Sequence, residues 1–117
     1  MKESLIYNKA FEFAVRIINL YKYLCKEKSE YVISKQLLRS GTSIGANVKE
    51  AKQASSKRDF LMKMNIALKE ASETEYWLQL IKATKYIDKK CANSVINDCI
   101  ELNKILASIV KTTKESL

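Results

Sequence analysis

Between Ser56 and Ile81 the chain places apolar or small side chains at Phe60, Met64, Ala67, Ala71, Thr74, Leu78 and Ile81, in alternating steps of four and three. Such steps average close to one helical turn, so all seven side chains fall on one stripe. The stripe persists for about six turns, which is long for a globular helix. A helix of that length needs partners of similar length to cover it. The feature restricts the chain to a helical bundle with small residues at its middle, and it gives no sign of an enzyme.

The totals agree. A chain of 117 residues is one domain by size, spanning 1–117, and is long enough to bury its own core. Proline is absent and Gly41 and Gly45 are the only glycines, so the turn residues that a β-rich domain requires are missing. Three further stripes complete the bundle. The first predicted helix runs from about Leu5 to Cys25, with Tyr7, Phe11, Ala14, Ile18, Tyr21 and Cys25 facing inward. The second runs from about Glu30 to Ala54, with Ile33, Leu37, Ser40, Ile44, Val48 and Ala51 inward and Ser29 as its N-cap. Ser56 with Asp59 gives the third helix a capping-box-like start, and that helix runs to about Tyr86. Asp88 caps the fourth, whose stripe is Val95, Cys99, Leu102, Leu106 and Ile109. Joints near 26–29, 55–57 and 86–89 are short, which makes neighbouring helices antiparallel. The expected fold class is all-α, an up-down-up-down four-helix bundle.

Charge is the main pointer to partners. Lys and Arg total 21 against 13 Asp and Glu, histidine is absent, and the net charge is +8. The topology sorts these charges along the bundle. One end gathers Lys2, Lys9, Lys49, Lys52, Lys57, Arg58, Lys63, Lys111 and Lys114 against Glu3, Glu50, Asp59 and Glu115. The other gathers Lys22, Lys26, Lys28, Lys35, Lys82, Lys85, Lys89 and Lys90 against Glu27, Glu30 and Asp88. The waist keeps Arg16, Arg39, Lys69 and Lys104 against Glu12, Glu70, Glu73, Glu75, Asp98 and Glu101. Basic ends on an acidic waist favour polyanionic partners over a uniform solubility coat. The residues expected to meet nucleic acid are Lys49, Lys52, Lys57 and Arg58 at one end, and Lys82, Lys85, Lys89 and Lys90 at the other. Lys57-Arg58 and Lys89-Lys90 stand at helix starts, where backbone donors add to an anion site. Aromatic residues are not interleaved with these lysines, which argues for contacts to the phosphate backbone and against base stacking.

The remaining constellations carry structural readings. Gly41 and Gly45 lie one turn apart on one flank of the second helix, which predicts close approach of another helix; a phosphate loop needs a different spacing. Arg39, Asn47, Glu50 and Glu70 form a polar edge that can satisfy itself across helices. Carboxylate-lined metal bundles use Glu-x-x-His pairs, which a chain without histidine lacks, so no metal or other cofactor is expected. Ile66, Tyr76, Trp77 and Leu80 make an apolar outer strip on the third helix, expected to contact another copy. Cys25, Cys91 and Cys99 have no paired spacing; Cys25 and Cys99 fall on apolar stripes and read as reduced core residues. No apolar run reaches signal-peptide or membrane-span length. The expected localisation is cytoplasmic.

Three segments carry a resemblance. They are Arg39-Ser-Gly-Thr-Ser-Ile-Gly-Ala-Asn-Val-Lys-Glu-Ala51, Ser56-Lys-Arg-Asp-Phe60 and Ile66-Ala-Leu-Lys-Glu-Ala-Ser-Glu-Thr-Glu-Tyr-Trp-Leu78. Together they resemble the bacterial proteins encoded in intervening sequences of 23S ribosomal RNA genes, also labelled S23 ribosomal proteins, a family related in fold to the accessory variability proteins of diversity-generating retroelements. The resemblance implies a homopentameric ring of four-helix bundles, no catalysis and a role in nucleic-acid binding. The family pattern often has glycine after the glutamate of the second helix, where this chain has Ala51. Members occur away from ribosomal RNA genes, so an rRNA role does not follow. The leading expectation is a non-enzymatic, ring-forming protein that binds structured RNA or an RNA–protein complex. The alternative is a protein-binding scaffold, such as an accessory subunit of a reverse transcriptase, that touches no nucleic acid itself.

Overall fold

The computed structural model describes residues 2–117, with side chains from Leu5 onward. Four helices follow one another: α1 (Lys2–Lys28), α2 (Ile33–Ala51), α3 (Lys57–Ala83) and α4 (Lys89–Glu115). The described residues contain no strand. The cross-helix pairs fix the directions. Arg39 and Ser40 of α2 reach Glu73 and Thr74 of α3, while Glu50 reaches back to Lys63. Cys25 of α1 meets Ser34 of α2, and Tyr7 lies under Lys52. Lys9 and Arg16 of α1 meet Glu101 and Asp98 of α4, and the Cys99 thiol donates to the Ala71 carbonyl of α3. In every pair one helix rises as its neighbour falls, so α1 to α4 run antiparallel around a body 46 × 20 × 20 Å in extent.

The α3 stripe is buried as its spacing requires, from Met64 to Ile81, with Phe60 half-buried at its start. The α2 and α4 stripes also face inward: Leu37, Ser40, Ile44, Val48 and Ala51 on one, Val95, Cys99, Leu102, Leu106 and Ile109 on the other. The Ser40 and Thr74 hydroxyls, both fully buried, satisfy each other at 2.9 Å at the middle of the bundle. At Gly41 the Ile17 side chain of α1 packs tightly on α2: a Cβ there would lie 2.9 Å from Ile17 Cγ2. Gly45 has more room, its nearest neighbour being Ala10 Cβ at 3.6 Å.

Helix α1 is rotated relative to expectation. Its buried side chains are Ile6, Ala10, Phe13, Ile17 and Leu24, with Leu20 packed beside them. The stripe expected inside, through Tyr7, Phe11, Ala14, Ile18, Tyr21 and Cys25, lies about one residue, or about 100°, around the helix. Phe11 is 58% exposed and Ile18 36%. Both stripes satisfy the three-and-four spacing, so periodicity could not choose between them. Chemistry offers the reason for the choice made: the buried stripe holds no hydroxyl, whereas the other would bury two tyrosines that need partners. Cys25 is accordingly only half-buried.

The ends of the helices are closed by identifiable groups. Ser56 Oγ accepts from Asp59 N–H, and Asp59 accepts from Ser55 N–H, closing the α3 start. Asp88 accepts from Cys91 N–H at 2.8 Å at the α4 start. At α2 the expected cap fails. Ser29 adopts φ 53° and ends α1 instead, with Glu30 N–H reaching the Leu24 carbonyl. The Glu30 carboxylate takes over the cap, accepting from the N–H groups of Val32, Ile33 and Ser34 at 3.2, 3.1 and 2.7 Å. Burial pushes that carboxyl up, but the three backbone donors outweigh it and hold it below the usual carboxylate range. The joints accordingly lie at 29–32, 52–56 and 84–88, a few residues from those expected.

Candidate nucleic-acid interface

The α1 C-terminus, the α2 N-terminus, the α3 C-terminus and the α4 N-terminus meet at one end of the bundle. Eight lysines gather there against three carboxylates, and two of those carboxylates are committed elsewhere. Glu30 is spent on three backbone N–H groups and Asp88 on the α4 cap. The ion pairs among the described residues lie at the waist or toward the opposite end: Lys9–Glu101, Arg16–Asp98, Arg39–Glu70, Arg39–Glu73 and Lys63–Glu50. None involves a lysine of this end. Its positive field is therefore directed at solvent.

The α3–α4 joint shapes that field into a groove. Helix α3 closes in a Schellman turn: Lys85 N–H reaches the Lys82 carbonyl and Tyr86 N–H the Ile81 carbonyl, with Lys85 at φ 63°. The groove beside this turn, about 600 Å3, is lined by Tyr23, Lys28, Lys82, Lys85, Tyr86, Ile87, Asp88 and Lys89. Three of the four residues expected at this end, Lys82, Lys85 and Lys89, thus line one concavity. Lys90 is exposed but does not line it. Lys28 joins them from the end of α1, and no local pattern in the sequence pairs it with the α3–α4 joint. Two tyrosines also line the groove, Tyr86 next to Lys85 in the chain and Tyr23 brought in from α1, which corrects the reading that aromatics stand apart from the lysines.

The opposite end is more self-satisfied. The Lys52 ammonium sits 4.5 Å from the Tyr7 ring centroid and Lys49 5.7 Å from it, a cation–π arrangement. Lys57 donates to the Ser116 carbonyl at 3.2 Å. Lys63 donates to Glu50 at 3.0 Å, which raises its pKa. Arg58 is exposed. Lys2 and Glu3 have side chains outside the described residues. Of the four residues expected to bind here, Arg58 keeps its charge unengaged by any contact among the described residues.

The waist carries the polar edge. Arg39 binds Glu70 at 3.4 Å and also Glu73, which accepts from Trp77 Nε1 at 2.9 Å. Asn47 bonds the Ser43 carbonyl of its own helix rather than crossing to another. No group of three or more Cys, Asp or Glu side chains that could hold a metal ion occurs among the described residues, and none of their helices is long and apolar enough to cross a membrane. On the expected outer strip of α3, Tyr76 is 57% exposed and Ile66 37%, while Trp77 packs partly on the core and Leu80 is half-buried. The rotation of α1 adds a second apolar strip, with Leu5, Phe11, Val15 and Ile18 open to solvent.

An antiparallel four-helix bundle with one open basic end, an acidic waist braced by ion pairs, an exposed apolar strip on α1 and a partly exposed one on α3 is the class of protein that these features define. Residues 2–108 match the family of 23S rRNA-intervening sequence proteins, and the chain belongs to that family. It is similar to a crystal structure of a protein of unknown function from the S23 ribosomal protein family of Bacteroides thetaiotaomicron VPI-5482, with 58% identity over 95% of this chain and 99% of that one, and a TM-score of 0.93. No curated protein matches the chain.

Proposed function

We propose that this protein is a non-enzymatic, self-associating nucleic-acid-binding protein that engages the phosphates of RNA, or of an RNA–protein complex, through its basic ends. The observation that carries the reading is the end where α1 and α3 finish: its lysines make no ion pair among the described residues, while two of its three carboxylates, Glu30 and Asp88, cap helices. Phosphates would supply the missing counter-charges, and each engaged lysine would release a condensed counterion. The Arg58 end is a second, weaker contact. Self-association supports the binding, because copies of a modest site held together act at high effective concentration. A ring is the assembly we propose for two unlike apolar strips, since α1 and α3 share no packed interface within the bundle and a head-to-tail contact between unlike patches forms a ring where its rotation closes.

The test is a gel-shift series with structured RNA and duplex DNA at several salt concentrations. Binding should fall steeply with salt for both probes. The double variant Lys82→Glu/Lys89→Glu should weaken both, since phosphate contacts carry little sequence information. The charge-matched waist variant Lys69→Glu/Lys104→Glu should do much less. No shift at low salt, or equal losses in the two variants, would leave a protein-binding scaffold as the better reading. The exposed α1 and α3 strips would then be its contact surfaces.

A further inference from the structure

The lysine groove at the α3–α4 joint has features that a phosphate-only surface does not need. Tyr23 is 42% exposed at its wall. Tyr86 forms another part of the lining while packing partly against the core. At the opposite end the Tyr7 ring already has ammonium groups over it; among the described residues no such contact occupies Tyr23 or Tyr86. The third feature is Lys85. Its φ of 63° is the left-handed conformation at the position after a helix where glycine is favoured. A side chain other than glycine held there carries a conformational cost, as Ser29 does at the end of α1; Lys85 differs from Ser29 in carrying a positive charge beside the groove. Lys85 is one of the residues that line the groove.

From these features we infer that the groove between α1 and the α3–α4 joint takes an unpaired polynucleotide strand, with a base stacked on Tyr23 and Tyr86 and the flanking phosphates held by Lys28, Lys82, Lys85 and Lys89. A base presents a π-face whatever its sequence, so the site is tolerant of sequence but intolerant of pairing, because a paired base is buried in its duplex. A groove of about 600 Å3 is within the range of small-ligand sites. The inference rests on the proposed nucleic-acid binding and deepens it: one end reads unpaired strand, while the Arg58 end contributes phosphate contacts alone.

The experiment uses the intact protein and fluorescence anisotropy at one salt concentration. Four probes carry equal numbers of phosphates: an oligo(U) strand of about 12 nucleotides, the matching oligo(dT), a duplex closed by a non-nucleotide linker so that no base is unpaired, and an abasic strand. The single strands should bind about tenfold more tightly than the duplex and the abasic strand, the preference that one stacked base supplies. The oligo(U) and oligo(dT) arms separate RNA from DNA as the source of the strand, and a preference of either over the abasic probe supports the inference. Tyr23→Ala should erase the preference and Tyr23→Phe should keep it. Lys85→Gly relieves the left-handed strain, so it should raise Tm by a few degrees while weakening strand binding, a split that a purely structural role would not produce. Equal binding of all four probes by the unmodified protein overturns the inference without needing any variant, and leaves phosphate binding standing. Absence of binding to every probe at low salt overturns both readings. A Tyr23→Ala variant that folds and keeps the full preference for single strands also overturns the stacking site.

Discussion

Replacing Gly41 with alanine sets two effects against each other. Alanine is favoured over glycine in a helix interior by about 1 kcal/mol. The new Cβ, however, would stand 2.9 Å from Ile17 Cγ2, 3.0 Å from Cγ1 and 3.3 Å from Cβ. Those are the near atoms of a fully buried, β-branched side chain, whose χ1 is stiff in a helix. Relief requires α1 to move off α2, and overpacking of that kind costs about 1–3 kcal/mol. The net expectation is destabilisation by about 1 kcal/mol, or a Tm lower by about 4 °C for a chain of this size. Gly45→Ala should have the opposite sign. Its nearest neighbours are at 3.6–3.7 Å, an ordinary contact, so the propensity gain stands and Tm should rise by about 4 °C. Thermal unfolding followed by circular dichroism at one fixed protein concentration reads both. A double-mutant cycle isolates the contact: Ile17→Ala should cost about 1 kcal/mol less in the Gly41→Ala background than in the parent. If Gly41→Ala stabilises as much as Gly45→Ala, or if the cycle is additive, the close-approach account of Gly41 is wrong.

Three further outcomes are expected. The folded-state pKa of Glu30 lies below its unfolded value, so its contribution is fully present above the ordinary carboxylate range and is lost as pH falls through the lower, folded value. The stability gap between the parent and Glu30→Gln should be constant above about pH 5 and close below about pH 4; a gap as large at pH 2 as at pH 7 would contradict the capping role. Cys91 is exposed, Cys25 half-buried and Cys99 buried, with burial foremost in pushing the Cys99 thiol up to about 12; a disulfide-exchange reagent at pH 8 should therefore modify Cys91 fastest, Cys25 more slowly and Cys99 only on unfolding. Light scattering should report a mass several times 13.4 kDa, with Phe11→Glu and Tyr76→Glu each lowering it. Both are more than half exposed, so they test the contact with less risk to the fold than Trp77→Glu, and a clean monomer of the parent protein would remove the assembly from the proposal.

What the sequence determined by itself follows from where it offers one choice. On α3 only one stripe of apolar and small residues runs unbroken from Phe60 to Ile81, the outer strip of Ile66, Tyr76, Trp77 and Leu80 being interrupted, so periodicity alone identified both the helix and the face that it buries. Ser56 and Asp88 were legible as caps because each stands just outside a helix with its side chain in reach of the third backbone N–H. The close approach expected at Gly41 and Gly45 holds at Gly41, where a Cβ would lie 2.9 Å from Ile17, while Gly45 has room for one. Tertiary structure decided the cases where local rules gave two answers. Helix α1 carries two apolar stripes about one residue apart, and the contacts of Ile17 and Ala10 with the glycine flank of α2 go with the hydroxyl-free one inside. Ser29 and Glu30 can both cap a helix; the carboxylate reaches three N–H groups from one residue further on, and Ser29 turns the chain instead. The groove is the clearest such case. Tyr23 and Lys28 stand more than fifty residues from Lys82, Lys85 and Tyr86, and only the packing of α1 beside the α3–α4 joint brings the two groups into one concavity. Local spacing registers neighbours on the same helix; it carries no record of which residues two helix ends will share.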